Sequence, residues 1–226
     1  MTSVAYEKGA RFLMALEQAF GRERFDAFLK GYFDHFAFQS ITTAEFERYL
    51  QDKLFVLDAS AAAKVSLNAW IHSPGLPTID PEPNSPKLDR AAKAAQEWAA
   101  GQLAAEQIEA KDWVTQEWLQ FLRALPEKVP ADRLAELDRA FGFTGRKNSE
   151  VLHAWLLHTI AADYPPARET LESYLTTIGR RKLVVPLYAA LVKTINGREQ
   201  ARQIYEKARP RYHPLTVDAV DKLVGR

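Results

Sequence analysis

The five histidines, His35, His72, His153, His158 and His213, are the obvious residues to test for metal or general-base chemistry. Only His153 and His158 are close. Five apart with no Glu between them, they miss the spacing of three or four that puts ligands on one helix face, and they read as ordinary helix residues. The sequence contains no His-Glu-x-x-His and no cysteine, so neither a zinc-protease helix nor a thiolate site is written in it. A second group is Gly179-Arg180-Arg181-Lys182. An Arg grips a carboxylate through two parallel hydrogen bonds and a Lys adds a point charge. At the end of a helix the same residues would instead complement its dipole and cap its carbonyls. A third is Tyr6, within Tyr6-Glu7-Lys8-Gly9. A phenol can donate to an oxyanion that develops during reaction, or it can stand without a role at a loosely held chain end. Glu7 and Glu17 have no partner at ligand spacing and read as solvated or capping acids, while His213-Pro214 reads as a helix start with Pro at the first position.

The elements that must position these groups are helical. Phe12, Leu13, Leu16, Ala19 and Phe20 fall at helix spacing, and Gly21 stops the run. Phe25, Phe28, Leu29, Tyr32, Phe33 and Phe36 form a second stripe, and Thr42-x-x-Glu45 reads as a capping box opening a third helix with Phe46, Tyr49 and Leu50 inside. Residues 1–58 are therefore expected as three helices. Pro74, Pro77, Pro81, Pro83 and Pro86 then crowd one stretch, which favours extended chain, and residues 59–87 are expected as a linker. Residues 88–226 hold a series of short helices. These include one capped by Asn148 or Ser149, one stopped by Gly179, and one over about 184–194 with Pro186 in its first turn. No stretch alternates like a strand. The expectation is an all-α chain whose C-terminal part is an irregular, armadillo- or HEAT-like helical solenoid, without a strict sequence repeat.

Composition narrows the function classes. The 226 residues carry 30 basic and 29 acidic side chains, a net charge of +1, which leaves no electrostatic footprint for nucleic acid. No apolar stretch reaches the roughly 18–20 residues that span a bilayer, and the N-terminus lacks the basic and apolar regions of a signal peptide. Neither nucleic acid nor membrane is expected as a partner, and a cytoplasmic setting is expected.

Trp70-Ile71-His72-Ser73-Pro74-Gly75-Leu76-Pro77 adds a more specific signal. This octapeptide resembles the junction between the thermolysin-like catalytic domain and the C-terminal helical domain of leukotriene A4 hydrolase and its relatives among the family M1 zinc aminopeptidases. Tyr6-Glu7-Lys8-Gly9, Leu16-Glu17-Gln18 and Ser40-Ile41-Thr42-Thr43 resemble the last helices of that catalytic domain. Asn148-Ser149-Glu150, Gly179-Arg180-Arg181-Lys182 and His213-Pro214 follow in the family's order. The resemblance covers essentially the whole chain. It implies that residues 1–58 close a catalytic domain and residues 88–226 form the helical domain. It also implies that Tyr6 is the oxyanion-stabilising tyrosine, and that Arg180 and Lys182 receive the carboxylate of a short peptide substrate. Arg181 stands where the family pattern has an apolar spacer. The family's zinc ligands and amino-terminus-binding loop lie upstream of the Tyr-Glu-Lys-Gly segment and are not in this sequence. Zinc is thus expected in the parent enzyme and not in this chain, and the isolated chain is expected to be inactive.

Two readings of function follow. In the first, the chain is the C-terminal portion of an aminopeptidase that removes N-terminal residues from short peptides. In the second, it is a free-standing helical scaffold or a regulatory subunit docking on a separate catalytic chain. The apolar stripes of the first three helices exceed what so little protein can bury. They are expected to fold onto the helical domain, pair in a homo-oligomer, or stay partly disordered.

Overall fold

The computed structural model describes residues 4–77 and 85–226 and separates the chain into two compact units, Met1–Asn84 and Ser85–Arg226. Twelve α-helices and no strand occur among the described residues. None of these helices is long and apolar enough to cross a membrane.

The first unit contains α1 (Val4–Phe20), α2 (Arg22–His35), α3 (Thr43–Lys53) and the short α4 (Ala59–Ala62). Gly21 ends α1 with φ of 80°, a conformation that side chains resist, and so allows α2 to begin at once. Thr42 caps α3: its hydroxyl accepts from the Glu45 amide at 3.3 Å, and the Glu45 carboxylate accepts from the Thr42 amide at 2.7 Å. The core is Phe12, Leu16, Phe20, Phe25, Phe28, Leu50 and Leu54. Four of the six stripe phenylalanines, Phe12, Phe20, Phe25 and Phe28, are thus buried within this unit, while Phe33 stays 67% exposed.

Residues 59–72 differ from the linker expectation. They form α4 and a π-helical turn over Asn68–His72, and Ala61, Val65 and Trp70 are buried in the same core. Asp58 opens α4 by accepting from the Ser60 and Ala61 amides. Trp70 packs on Phe12 at 5.7 Å between ring centres. The apolar spacing of Ala61, Val65 and Trp70 outweighs the proline signal, which begins only at Pro74. Pro86 is not linker either but the first position of α5. Pro81 and Pro83 lie outside the described residues.

The second unit runs through α5 (Pro86–Ala99), α6 (Thr115–Ala124), α7 (Ala131–Phe141), α8 (Ser149–Ala161), α9 (Arg168–Thr177), α10 (Arg181–Leu191), α11 (Gly197–Ala208) and α12 (Pro214–Val224). Alternate helices lie side by side: α6, α8, α10 and α12 form one layer, and α9 packs on α11 in the other. This two-layer stacking is the irregular solenoid expected from the sequence. α8 buries Val151, Leu152, Ala154, Trp155, Leu156, Thr159 and Ile160, so it is apolar nearly all round and sits inside the layer. Trp155 is fully buried and donates through Nε1 to Thr144 Oγ1 at 3.0 Å. Thr144 in turn donates to Asp138 at 2.6 Å, and Tyr164 donates to the same carboxylate at 3.2 Å.

Two boundaries moved. α9 ends at Thr177 with Ile178 extended beyond it, so Gly179 is not the stop. α10 begins at Arg181 rather than near 184, because Leu183, Val184, Leu187, Tyr188 and Leu191 all turn inward on one face. Pro186 therefore lies inside the helix, where it has no N–H to give to the Lys182 carbonyl.

The Thr42→Ala variant should lose about 1 kcal/mol of unfolding free energy through its lost cap. Urea denaturation followed by helix signal checks this; a change below about 0.3 kcal/mol would mean that the capping box contributes nothing.

Candidate functional site

Arg180, Arg181 and Lys182 follow a chain reversal after α9 and open α10. The sequence reading placed them at a helix C-terminus, where cations are favourable. They stand instead at a helix N-terminus, where the macrodipole is positive and cations are disfavoured. The first turn of α10 has no acidic residue of its own. The compensating charge comes from α8: Lys182 Nζ lies 2.6 Å from Glu150 Oε1, and Arg180 Nη1 lies 3.3 Å from the same oxygen. Glu150 sits in the first turn of α8, whose start is fixed by Asn148, which accepts from the Glu150 and Val151 amides at 3.0 and 3.1 Å. Tyr174 of α9 donates to the Ser149 carbonyl at 2.8 Å and ties the same point from the other layer. The hydrogen bond from Lys182 holds the Glu150 carboxyl below its usual range, against the opposing effect of burial. Arg181 is exposed and makes no ion pair among the described residues.

One turn along α8 from Glu150 stands His153. Its Nδ1 is buried without a hydrogen-bond partner, and burial depresses its pKa, opposed by the Leu183 backbone and the Glu150 charge. His158 Nε2 donates to the Leu122 carbonyl at 2.8 Å; as a carbonyl only accepts, Nε2 carries the proton. Burial depresses this pKa as well. Glu150, His153 and His158 line a groove of about 1260 Å³ across α6, α8 and α10, with Leu122, Leu157 and Leu191 among its apolar walls. Spacing in the sequence separated His153 from His158 as ligands, and among the described residues no three His, Asp or Glu side chains come together as a metal site.

Tyr6 belongs to the other unit. It lies in the first turns of α1 and is 74% exposed, so the Tyr-Glu-Lys-Gly segment is helix rather than a turn or a loose end. Lys8 donates to the Ser73 carbonyl at 2.5 Å, joining α1 to the Ser73-Pro74-Gly75 segment. The sequence pattern does not tie Glu150 to the charged group, although Asn148-Ser149-Glu150 is one of the segments that carry the family resemblance. Its signal was the absence of any acid near three consecutive cations.

Peptidase family M1 matches residues 1–70, and the C-terminal domain of leukotriene A4 hydrolase matches residues 113–224. The chain belongs to peptidase family M1. Leukotriene A-4 hydrolase of Xenopus laevis is 31% identical over 98% of this chain and 37% of its own length. Leucine aminopeptidase 2 of Phaeosphaeria nodorum is 29% identical over the same shares, 98% and 37%. The structure of native yeast LTA4 hydrolase superposes with a TM-score of 0.83 at 25% identity, covering 100% of this chain and 40% of that one. The chain thus spans about two fifths of the length of these M1 relatives and corresponds to their C-terminal part, with the leukotriene A4 hydrolase type of helical domain.

Both half-buried histidines of α8, His153 and His158, should titrate below the ordinary 6.5. Stability from keeping them neutral is present above about pH 6.5 and drains away as pH falls through the depressed folded values. Imidazole NMR titration checks this, and either ring titrating at or above 6.5 would contradict it.

Proposed function

We propose that the chain is the substrate-anchoring part of an aminopeptidase that removes N-terminal residues from short peptides. The observation that carries this reading is the convergence of Arg180 and Lys182 on a single carboxylate oxygen at the N-terminus of α10. The pair already holds one carboxylate, so its geometry suits another of the same kind. Arg180 keeps unused N–H donors, and the helix terminus adds positive potential. The free C-terminus of a short peptide is the proposed ligand, which would let the helical unit measure substrate length.

Tyr6 is proposed as the oxyanion donor. A phenol hydrogen-bonded to the tetrahedral oxygen stabilises it more than the ground-state carbonyl and so lowers the barrier. Its exposure suits a group meant to meet substrate. M1 enzymes are zinc-dependent, and the parent is proposed to hold zinc. The described residues of this chain do not offer a ligand set for it, so the ligands are assigned to the remainder of the parent and the isolated chain to an inactive state. The exposed Phe33, Val56 and Leu57 are proposed to be covered by that same remainder. A cytoplasmic setting belongs to the same proposal.

In the whole parent enzyme, Arg180→Ala and Lys182→Ala should each lower kcat/KM for tripeptides by about 10- to 100-fold, while leaving C-terminally amidated peptides nearly unaffected. Tyr6→Phe should lower kcat about 10²- to 10³-fold with little change in KM. Steady-state kinetics on paired acid and amide substrates check both; equal losses on acid and amide would remove the anchor.

A further inference from the structure

Among the described residues, Glu150 is the acid that pairs with the cations opening α10, and its position needs a reason beyond packing. The contact is monodentate: both cations meet Oε1, and the Arg180 contact at 3.3 Å is long. A structural ion pair would gain more from a two-oxygen fork on the guanidinium. The side chains of Arg180, Lys182 and Glu150 are 65%, 52% and 35% exposed, so the pairing is open to a competing anion from solvent. An exposed pair of this kind adds little to stability. Its effect on the potential is larger. Without Glu150, two cations and the N-terminal ends of α8 and α10 would face the same space. With it, the group carries a single net positive charge; the groove that Glu150 lines also holds Glu127 and Asp163, but among the described residues neither pairs with Arg180 or Lys182.

We infer that Glu150 is a specificity-determining residue of the anchor, an internal carboxylate that competes with the peptide C-terminus for Arg180 and Lys182 and sets the site to accept one negative charge. This rests on the anchoring role proposed above. An incoming carboxylate shares or takes over the Lys182 contact. A dianion meets the residual charge of Glu150 and is repelled. The weak, exchangeable pairing holds the two cations together when no substrate is present and keeps the bound peptide releasable.

The test uses the 226-residue chain, labelled for NMR, with three probes: N-acetyl-trialanine, its C-terminal amide, and inorganic phosphate. Chemical shifts of residues 180–183 report binding. Wild type should bind the acid in preference to the amide. Glu150→Gln should tighten the acid by roughly three- to tenfold at low salt, the range expected for removing one nearby like charge at an exposed site. It should tighten phosphate by more, and leave the amide unchanged. Glu150→Asp, which keeps the charge, should stay close to wild type. The proposal is overturned if Glu150→Gln binds the acid no more tightly than wild type while the acid-over-amide preference persists. If wild type shows no preference for the acid at all, the anchor reading itself falls. An unchanged helix signal in Glu150→Gln, together with the altered acid-to-amide ratio, separates this role from a merely structural one.

Discussion

The burial of α8 on nearly all sides is the constraint on which the second unit depends. A helix with Trp155 fully buried and Leu152, Leu156 and Ile160 turned inward needs packed neighbours on more than one side, so α6 and α10 must flank it and leave only a narrow strip to the groove. That requirement fixes the register of α10, whose Leu183, Val184 and Leu187 turn into the same core. Once the two helices are in register, their N-terminal turns lie together, and Glu150 meets Lys182 as a consequence. The polar chain from Trp155 through Thr144 and Asp138 to Tyr164 satisfies donors that the packed aromatic cluster would otherwise strand. Positioning of the charged group is therefore inherited from apolar packing and not from the charges themselves.

Cations at a helix N-terminus work against the local dipole, so local helix stability does not account for Arg180, Arg181 and Lys182. An arrangement that stores unfavourable potential at one point, supplies one acid from a neighbouring helix and leaves donors unused is what anion binding requires. His153 belongs to the same economy of charge. Its ring is kept neutral chiefly by burial, so it shapes the groove wall without adding a further positive charge beside Lys182.

Much of this was legible in the residues. The Thr42 box and the Asn148 cap each appear in the structure as local chemistry dictates, since each depends on residues within one turn. What was not legible depended on distant partners. The start of α10 was set by the core that Leu183 and Val184 enter, overriding the usual preference of Pro186 for a first turn. Residues 59–72 left the expected linker because Trp70 finds Phe12, a contact across the whole unit. The charged group was half legible: two cations could be picked out by type, but their acid lies thirty residues upstream of Arg180 on another helix.

The first unit shows the same logic with opposite emphasis. Tyr6 stands exposed on α1. Its position follows from the rest of the helix: Phe12 and Leu16 hold α1 in the core, and Lys8 pins it to the Ser73 carbonyl. The segment bearing Tyr6 is thereby coupled to the one bearing Trp70 and Ser73, so the two sequence motifs that seemed separate are one structural device. The proposed oxyanion role needs a hydroxyl open to substrate, and a phenol 74% exposed on a helix held by its neighbours meets that condition.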